Sequence, residues 1–261
     1  MQQILVTGGA GRLGRLVVKQ LNQAGYRVRG MSRRASPGAS WPGAEWKQAD
    51  LTTGAGLAEA VQGMDVVVHL AGKGNWQVDF EGTRRLVDAA RQAGVSHLVF
   101  ISVVGIDKVP WTGGKAKLAS EDLIEHSGIP WSILRATQFH YGIDFLFHVL
   151  TRLPLVALVP TDLLLQPVAE EEVAQRLCEI VQAGPSGRLP DIGGPQVYTS
   201  GELAWIWLTQ RGVHRAILPL WLPGKMVSRL RQGGNTCPQQ ATGTVTWEAW
   251  LQQHERTRHL G

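Results

Sequence analysis

The chain has 261 residues, 44% of them hydrophobic and 18% charged, with a formal net charge of +5. That length suits one large α/β domain, or a nucleotide-binding core with a small appended region. No apolar run reaches the roughly 20 residues that span a bilayer. The longest, at 145–159, is interrupted by Arg152 and Pro154. Cys178 and Cys237 form neither a metal-ligand cluster nor a disulfide framework, so no metal is expected. The chain enters an apolar run at once with no cationic segment before it, so no secretory signal is expected, and a cytoplasmic protein fits best.

Ile4, Leu5 and Val6 end abruptly in glycine. Gly8, Gly11 and Gly14 then recur every third residue, and Leu13, Leu16, Val17 and Leu21 follow at helical spacing up to Gly25. The pattern reads as strand, tight turn, helix. Glycine suits a turn that needs positive φ or lies against a ligand. The following helix aims its unpaired N–H groups and positive dipole end at the turn, which makes an anion site. A dinucleotide pyrophosphate is the usual occupant. A purely structural turn also uses glycine, but the placement between a strand and a helix favours the ligand.

A second strand at 26–31 leads into Ser32, Arg33 and Arg34. An NAD site places Asp or Glu near here for the ribose 2′-OH. Residues 1–44 contain no Asp or Glu, yet carry Arg12, Arg15, Lys19, Arg27, Arg29, Arg33 and Arg34. Guanidinium groups suit a 2′-phosphate, so NADP(H) is expected over NAD(H); the alternative is a solvated basic loop. A phosphorylated small ligand explains these cations more economically than nucleic acid, and no membrane or nucleic-acid partner is expected.

Residues 35–43 form a turn-rich loop, and 46–49 a third strand ending at Asp50 and Leu51. Asp50 either reaches an adenine amino group or caps the next helix, which runs to Gly63. Val66, Val67, Val68 and His69 are a buried strand that runs through Leu70 into Ala71 and Gly72, where the cofactor approaches the backbone. His69 reads as a packed strand residue rather than a catalyst. A helix at 79–92 and a strand at 95–101 follow, ending at Ser102. Strands alternating with helices imply a parallel, doubly wound sheet whose strand ends gather the ligand.

A helix at 117–126 and a strand at 129–134 lead to Arg135 through Tyr141, a polar and aromatic cluster where a substrate would sit. From about Pro154 the texture changes. A strand at 155–159, a helix at 169–182 with an acidic start, a helix capped by Ser200 and a terminal helix at 247–253 are expected. The fold class is therefore α/β: a Rossmann-type doubly wound parallel sheet over 1–153, with a small, mainly helical C-terminal lobe over 154–261 packed on it. The lobe is Trp-rich, with a basic stretch at 225–231, and builds either a substrate pocket or a partner surface.

Thr7-Gly8-Gly9-Ala10-Gly11-Arg12-Leu13-Gly14, Met31-Ser32-Arg33-Arg34, His69-Leu70-Ala71-Gly72 and Ile101-Ser102-Val103-Val104-Gly105 resemble the atypical short-chain dehydrogenase/reductases, near the NmrA-like and isoflavone-reductase-like branches. Lys117-Leu118-Ala119-Ser120-Glu121 and Leu134 through His140 strengthen the resemblance. It implies a cofactor set of Thr7, Gly8, Gly11, Arg12, Leu13, Gly14, Ser32, Arg33, Arg34, Asp50, Leu51, Leu70, Ala71, Gly72, Ser102 and Lys117.

Classical members use Tyr-x-x-x-Lys, in which the lysine lowers the tyrosine pKa. Lys117 matches the lysine, but Gly113 stands at the tyrosine position. The candidate substitutes are Lys117 itself, Tyr141 or His140 from the substrate side, and Ser102 orienting a carbonyl. Lys117 equally suits holding the nicotinamide ribose, His140 and Tyr141 packing, and Ser102 a strand end. Two readings stay open: an NADPH-dependent reductase of a small carbonyl, enone or quinone-like compound, and a non-catalytic NADP(H) sensor of the NmrA type with a protein partner. A sugar-nucleotide epimerase is weaker, because such enzymes generally need the missing tyrosine.

Overall fold

Strand β1 (Gln3–Thr7) is buried from Ile4 to Thr7, because the residues on both of its faces are covered. After the glycine turn, α1 (Arg12–Gln23) turns Gly14, Val17, Val18 and Leu21 inward. The chain returns as β2 (Arg27–Ser32), parallel to β1 with Thr7 opposite Met31. Strand β3 (Glu45–Gln48) pairs with β2, with Gln48 opposite Ser32. After the short α2 (Leu57–Val61), β4 (Val66–His69) takes the other side of β1, with His69 opposite Thr7. A π-helical turn at Gln77–Glu81 feeds α3 (Gly82–Gln92), and then β5 (His97–Val103) pairs with β4.

Helix α4 (Thr112–Glu125), strand β6 (Trp131–Ala136) and helix α5 (His140–Leu150) follow. Strands β7 (Val156–Val159) and β8 (Leu164–Leu165) precede α6 (Glu170–Ala183) and β9 (Gly187–Arg188). The chain closes with β10 (Tyr198–Thr199), α7 (Ser200–Gln210), β11 (Ala216–Pro219), α8 (Lys225–Arg231) and α9 (Trp247–Arg258). This computed structural model describes residues 1–38, 41, 43–151 and 155–258. Arg152 and Pro154, which interrupt the apolar run in the sequence, lie outside the described residues, as does the boundary expected at 153–154.

The main sheet has seven strands in the order β3-β2-β1-β4-β5-β6-β9 and is parallel, the Rossmann-like arrangement expected. The matched registers bring the carboxyl ends of β1, β2, β3, β4 and β5 to one edge. Leu5, Val67, Leu86, Leu98, Phe100, Ile124 and Ile133 form the core against the sheet. Each such side chain contributes roughly 1.5–3 kcal/mol relative to exposure.

The chain forms two compact units. The first holds 1–102, 111–135 and 170–190; the second holds 103–110, 136–169 and 191–261. The division expected from sequence, 1–153 and 154–261, does not coincide with these units, because α6 packs on α1 within the first. The second unit centres on Phe147, Leu203, Trp207, Trp247 and Trp250. Its α7 is capped by Thr199, not Ser200: Thr199 Oγ1 accepts from Glu202 N at 3.1 Å and Glu202 bonds back in a capping box. Ser200 instead accepts from Leu163 N at 3.2 Å. Helix α4 begins at Thr112, five residues before the expected start, and runs through Gly113 and Gly114.

Candidate functional site

The glycine turn is held by backbone bonds from Gly11 N to Gly8 O (2.8 Å) and from Gly9 N to Met31 O (3.1 Å). Gly8 has φ +68°, and a Cβ on it would lie 3.0 Å from Ala71 N. A Cβ on Gly14 would lie 2.3 Å from Gly8 O. Both positions exclude larger residues, so the backbone of the turn stays open at the N-terminus of α1, where no side chain caps the helix. Gly14 and Thr7 are buried, and Arg12 is exposed, with its Nε 3.4 Å from Glu170 Oε1.

At the end of β2, Ser32 Oγ accepts from Arg34 N at 3.1 Å. The carbonyls of Arg33 and Arg34 accept from Gln48 Nε2 and Trp46 Nε1, both at 3.1 Å. The loop backbone is thus pinned while both guanidinium groups are exposed, without an ion-pair partner among the described residues. The nearby Glu45 is committed to Arg29 at 2.9 Å. The indole of Trp41 lies against Gly9 and Gly30. Asp50 neither caps α2 nor stands free: its Oδ1 accepts from Thr52 N at 2.8 Å. Leu51 is a core residue, so only its backbone can face a ligand.

A chain of buried hydrogen bonds crosses the ends of β1 and β4. Thr7 Oγ1 accepts from Leu70 N at 3.1 Å and from Ala71 N at 3.3 Å. Its own hydrogen therefore goes to His69 Nδ1 at 2.7 Å. That assigns the His69 proton to Nε2, which donates to Thr83 Oγ1 at 2.9 Å, and Thr83 donates to Asp79 O at 2.6 Å. Burial, reinforced by Lys117, pushes the His69 pKa down to about 3, so the ring is neutral.

The Asp79 carboxylate accepts from Lys73 N and Gly74 N, both at 2.7 Å, and so shapes the exposed Gly72–Gly74 turn. Lys117 Nζ donates to Ile101 O at 3.1 Å and lies 3.6 Å from where a Gly72 Cβ would stand. Desolvation lowers the Lys117 pKa below its ordinary value, while Asp79 and then Glu121 oppose the shift.

Ser102 is buried near Glu121, and its Oγ makes no hydrogen bond among the described residues. Glu121 is bound by Arg135 through bonds of 2.9 and 2.7 Å and by Arg188 at 3.0 Å. Burial pushes the Glu121 carboxyl up, but the Arg135 bond, then Ser102 and Arg188, hold it below its usual value. His140 and Tyr141 belong to the second unit. His140 is fully buried and stacked on Trp247 and Trp250, and burial, with His254, pushes its pKa down to about 3. Tyr141 stacks on Phe139.

Residues 8–152, more than half of the chain, match the family described as NAD(P)H-binding. The chain belongs to that family. The match fits the atypical short-chain dehydrogenase/reductase resemblance. Photosystem II assembly factor Ycf39 of Cyanophora paradoxa is 30% identical over 152 residues, 54% of this chain and 46% of that protein. Divinyl chlorophyllide a 8-vinyl-reductase of Cucumis sativus is 30% identical over 162 residues, 52% of this chain and 38% of that protein. The chain thus spans about half or less of the curated relatives it matches. Among solved structures, the NADPH-dependent quinone oxidoreductase QOR2 of Escherichia coli, complexed with NADPH, superposes with a TM-score of 0.81 at 20% identity over 97% of this chain and 99% of that one. That likeness shows a shared fold.

The glycine cradle fits the family's dinucleotide: a Cβ at Gly8 or Gly14 would strike neighbouring backbone, so no side chain at either position covers the turn amides at the N-terminus of α1. Sequence reasoning gives no site role to Asp79, the expected first residue of a helix, or to Trp111. Asp79 acts on the amides of Lys73 and Gly74, and Trp111 on Gly113, Gly114 and Gly74, and no sequence pattern marks either.

Proposed function

We propose that the chain is an NADPH-dependent reductase of a small carbonyl, enone or quinone-like compound. The observation that carries this reading is a half-buried ammonium, Lys117, beside the exposed Gly72–Gly74 turn, on the sheet edge that bears the glycine cradle. In this reading Gly8, Gly11, Gly14 and the amides of Arg12 and Leu13 hold the pyrophosphate. Thr7 braces the Leu70 and Ala71 amides beside the turn. Ser32, Arg33 and Arg34 hold the 2′-phosphate, which favours NADP(H) over NAD(H). Asp50, Leu51, Leu70, Ala71 and Gly72 line the remaining length.

When bound, the reduced dinucleotide supplies a hydride, and one proton from the chain or water balances the reduction. Lys117 holds that proton at Nζ. Its bond to Ile101 O orients the ammonium, and desolvation eases release. Lys117 also has donors left for ribose hydroxyls. Ser102 is buried and His140 is neutral and enclosed by tryptophans, so neither receives a proton-transfer role here. We place the protein in the cytoplasm, where Cys178 and Cys237 stay free.

Gly113 favours a second reading, a non-catalytic NADP(H) sensor of the NmrA type, because no phenol precedes Lys117. Calorimetric titration with NADPH, NADP⁺, NADH and NAD⁺ comes first. The reductase reading expects NADP(H) to bind preferentially, and replacement of Arg33 and Arg34 by alanine to weaken NADPH far more than NADH. Oxidation of NADPH with a panel of carbonyls and quinones, lost in Lys117→Ala with cofactor binding intact, supports the enzyme. No oxidation with any acceptor supports the sensor.

A further inference from the structure

The space at position 113 is filled. The indole of Trp111 folds back over the first turn of α4. A Cβ on Gly113 would lie 2.1 Å from its Cζ3 and 2.7 Å from its Cη2, and a Cβ on Gly114 would lie 2.7 Å from its Nε1. The Cα of Gly74 lies 2.9 Å from the same Gly113 position. The indole therefore occupies the volume of a side chain at 113, against the Gly72–Gly74 turn and one helical turn from Lys117. Any Cβ at 113 or 114 displaces it, which is a physical reason for two successive glycines in a helix that alanine would otherwise favour. Trp111 is half-buried, and Trp76, helical at the head of the π-helical turn, is exposed against Phe80.

A phenol at 113 would give a substrate oxygen a hydrogen bond and a proton. The carbon edge and π-face of an indole give neither, but they attract a flat conjugated ring. We infer that Trp111 takes the place of the missing phenol as a binding surface, and that the substrate is a planar, conjugated acceptor, of quinone or extended enone type, stacked against it beside Lys117. This rests on the reductase reading and gives its site a substrate class. A conjugated acceptor spreads negative charge over several atoms, so it depends less on a donor at 113 than a saturated ketone does. Trp111 is then the residue that selects for ring planarity.

The test is the affinity of menadione for the protein saturated with NADP⁺, which cannot reduce it, measured by calorimetry. Trp111→Ala is expected to weaken menadione by roughly two- to tenfold, the span of an aromatic stacking pair. Trp111→Phe should restore most of that loss. Gly113→Ala, which leaves Trp111 present but pushes it aside, should weaken menadione comparably. The double variant should be no weaker than Trp111→Ala alone, because both changes remove one contact. NADP⁺ affinity should stay constant throughout. Menadione affinity unchanged in Trp111→Ala, additive losses in the double variant, or no menadione binding to the wild type would overturn the role of Trp111. Failure of the wild type to oxidise NADPH with any acceptor would instead remove the reductase reading, whatever the variants show.

Discussion

Glu170 opens α6 with its side chain 3% exposed. Its Oε1 lies 3.4 Å from Arg12 Nε, and its Oε2 has no hydrogen-bond partner among the described residues. Burial drives its pKa from 4.5 up to about 7; Glu171 adds to the shift, while a backbone bond and Arg12 oppose it. The folded state therefore holds a proton that the unfolded state releases, and stability falls as pH rises from the unfolded value through the folded one. The span corresponds to about 3 kcal/mol lost once pH exceeds both values. Glu170→Gln removes this titration. Its lost pairing with Arg12 is small, because the Arg12 side chain is 56% exposed and such pairs contribute no more than about 1 kcal/mol. Urea unfolding of both proteins across this range should show equal stability at the acid end and a more stable Glu170→Gln at about pH 8. Parallel pH profiles, or a less stable variant at high pH, would refute the argument that Glu170 is charged against its surroundings.

Gly14→Ala places a methyl 2.3 Å from Gly8 O, so the turn must open; NADPH binding by calorimetry should fall at least tenfold, and unchanged affinity would separate the turn from the cofactor. Glu121→Ala leaves the mostly buried Arg135 without its carboxylate and Arg188 with Glu125 alone, and should cost about 3–5 kcal/mol in urea unfolding. A loss below about 1 kcal/mol would mean that the cluster is solvated. Trp247 is fully buried and donates from Nε1 to Leu203 O at 3.1 Å, so Trp247→Ala should cost about 3–5 kcal/mol, read by the same assay; a near-neutral result would mean that the tryptophan cluster collapses around the gap.

The parallel sheet was legible because its central strands are unbroken apolar runs: Ile4 to Val6 and Val66 to Val68 have no polar face to present. His69 likewise sits packed in its strand. The glycine turn was legible because three glycines stand between a strand and a helix. Helix α4 began earlier than expected because Gly113 and Gly114 argue locally against a helix; the indole lying on them outweighs that preference. Asp79 was invisible as a site residue for a similar reason. Its carboxylate serves amides at 73 and 74, before the helix it seemed to begin. The cap at Thr199 was missed by one residue, since Ser200 has the same chemistry and only the Glu202 return bond distinguishes them. Nor does the amphipathic pattern of α6 say which layer it covers.

That last point bears on how the protein can be made. The chain passes between the two units at 102/103, 110/111, 135/136, 169/170 and 190/191. During synthesis the sheet unit lacks its final strand until residue 190 has left the ribosome, by which time two pieces of the other unit have already emerged and must wait for the C-terminal segment. No single cut releases either unit whole, so deletion of the tail after 190 should yield a sheet unit that carries orphaned segments rather than a free-standing domain.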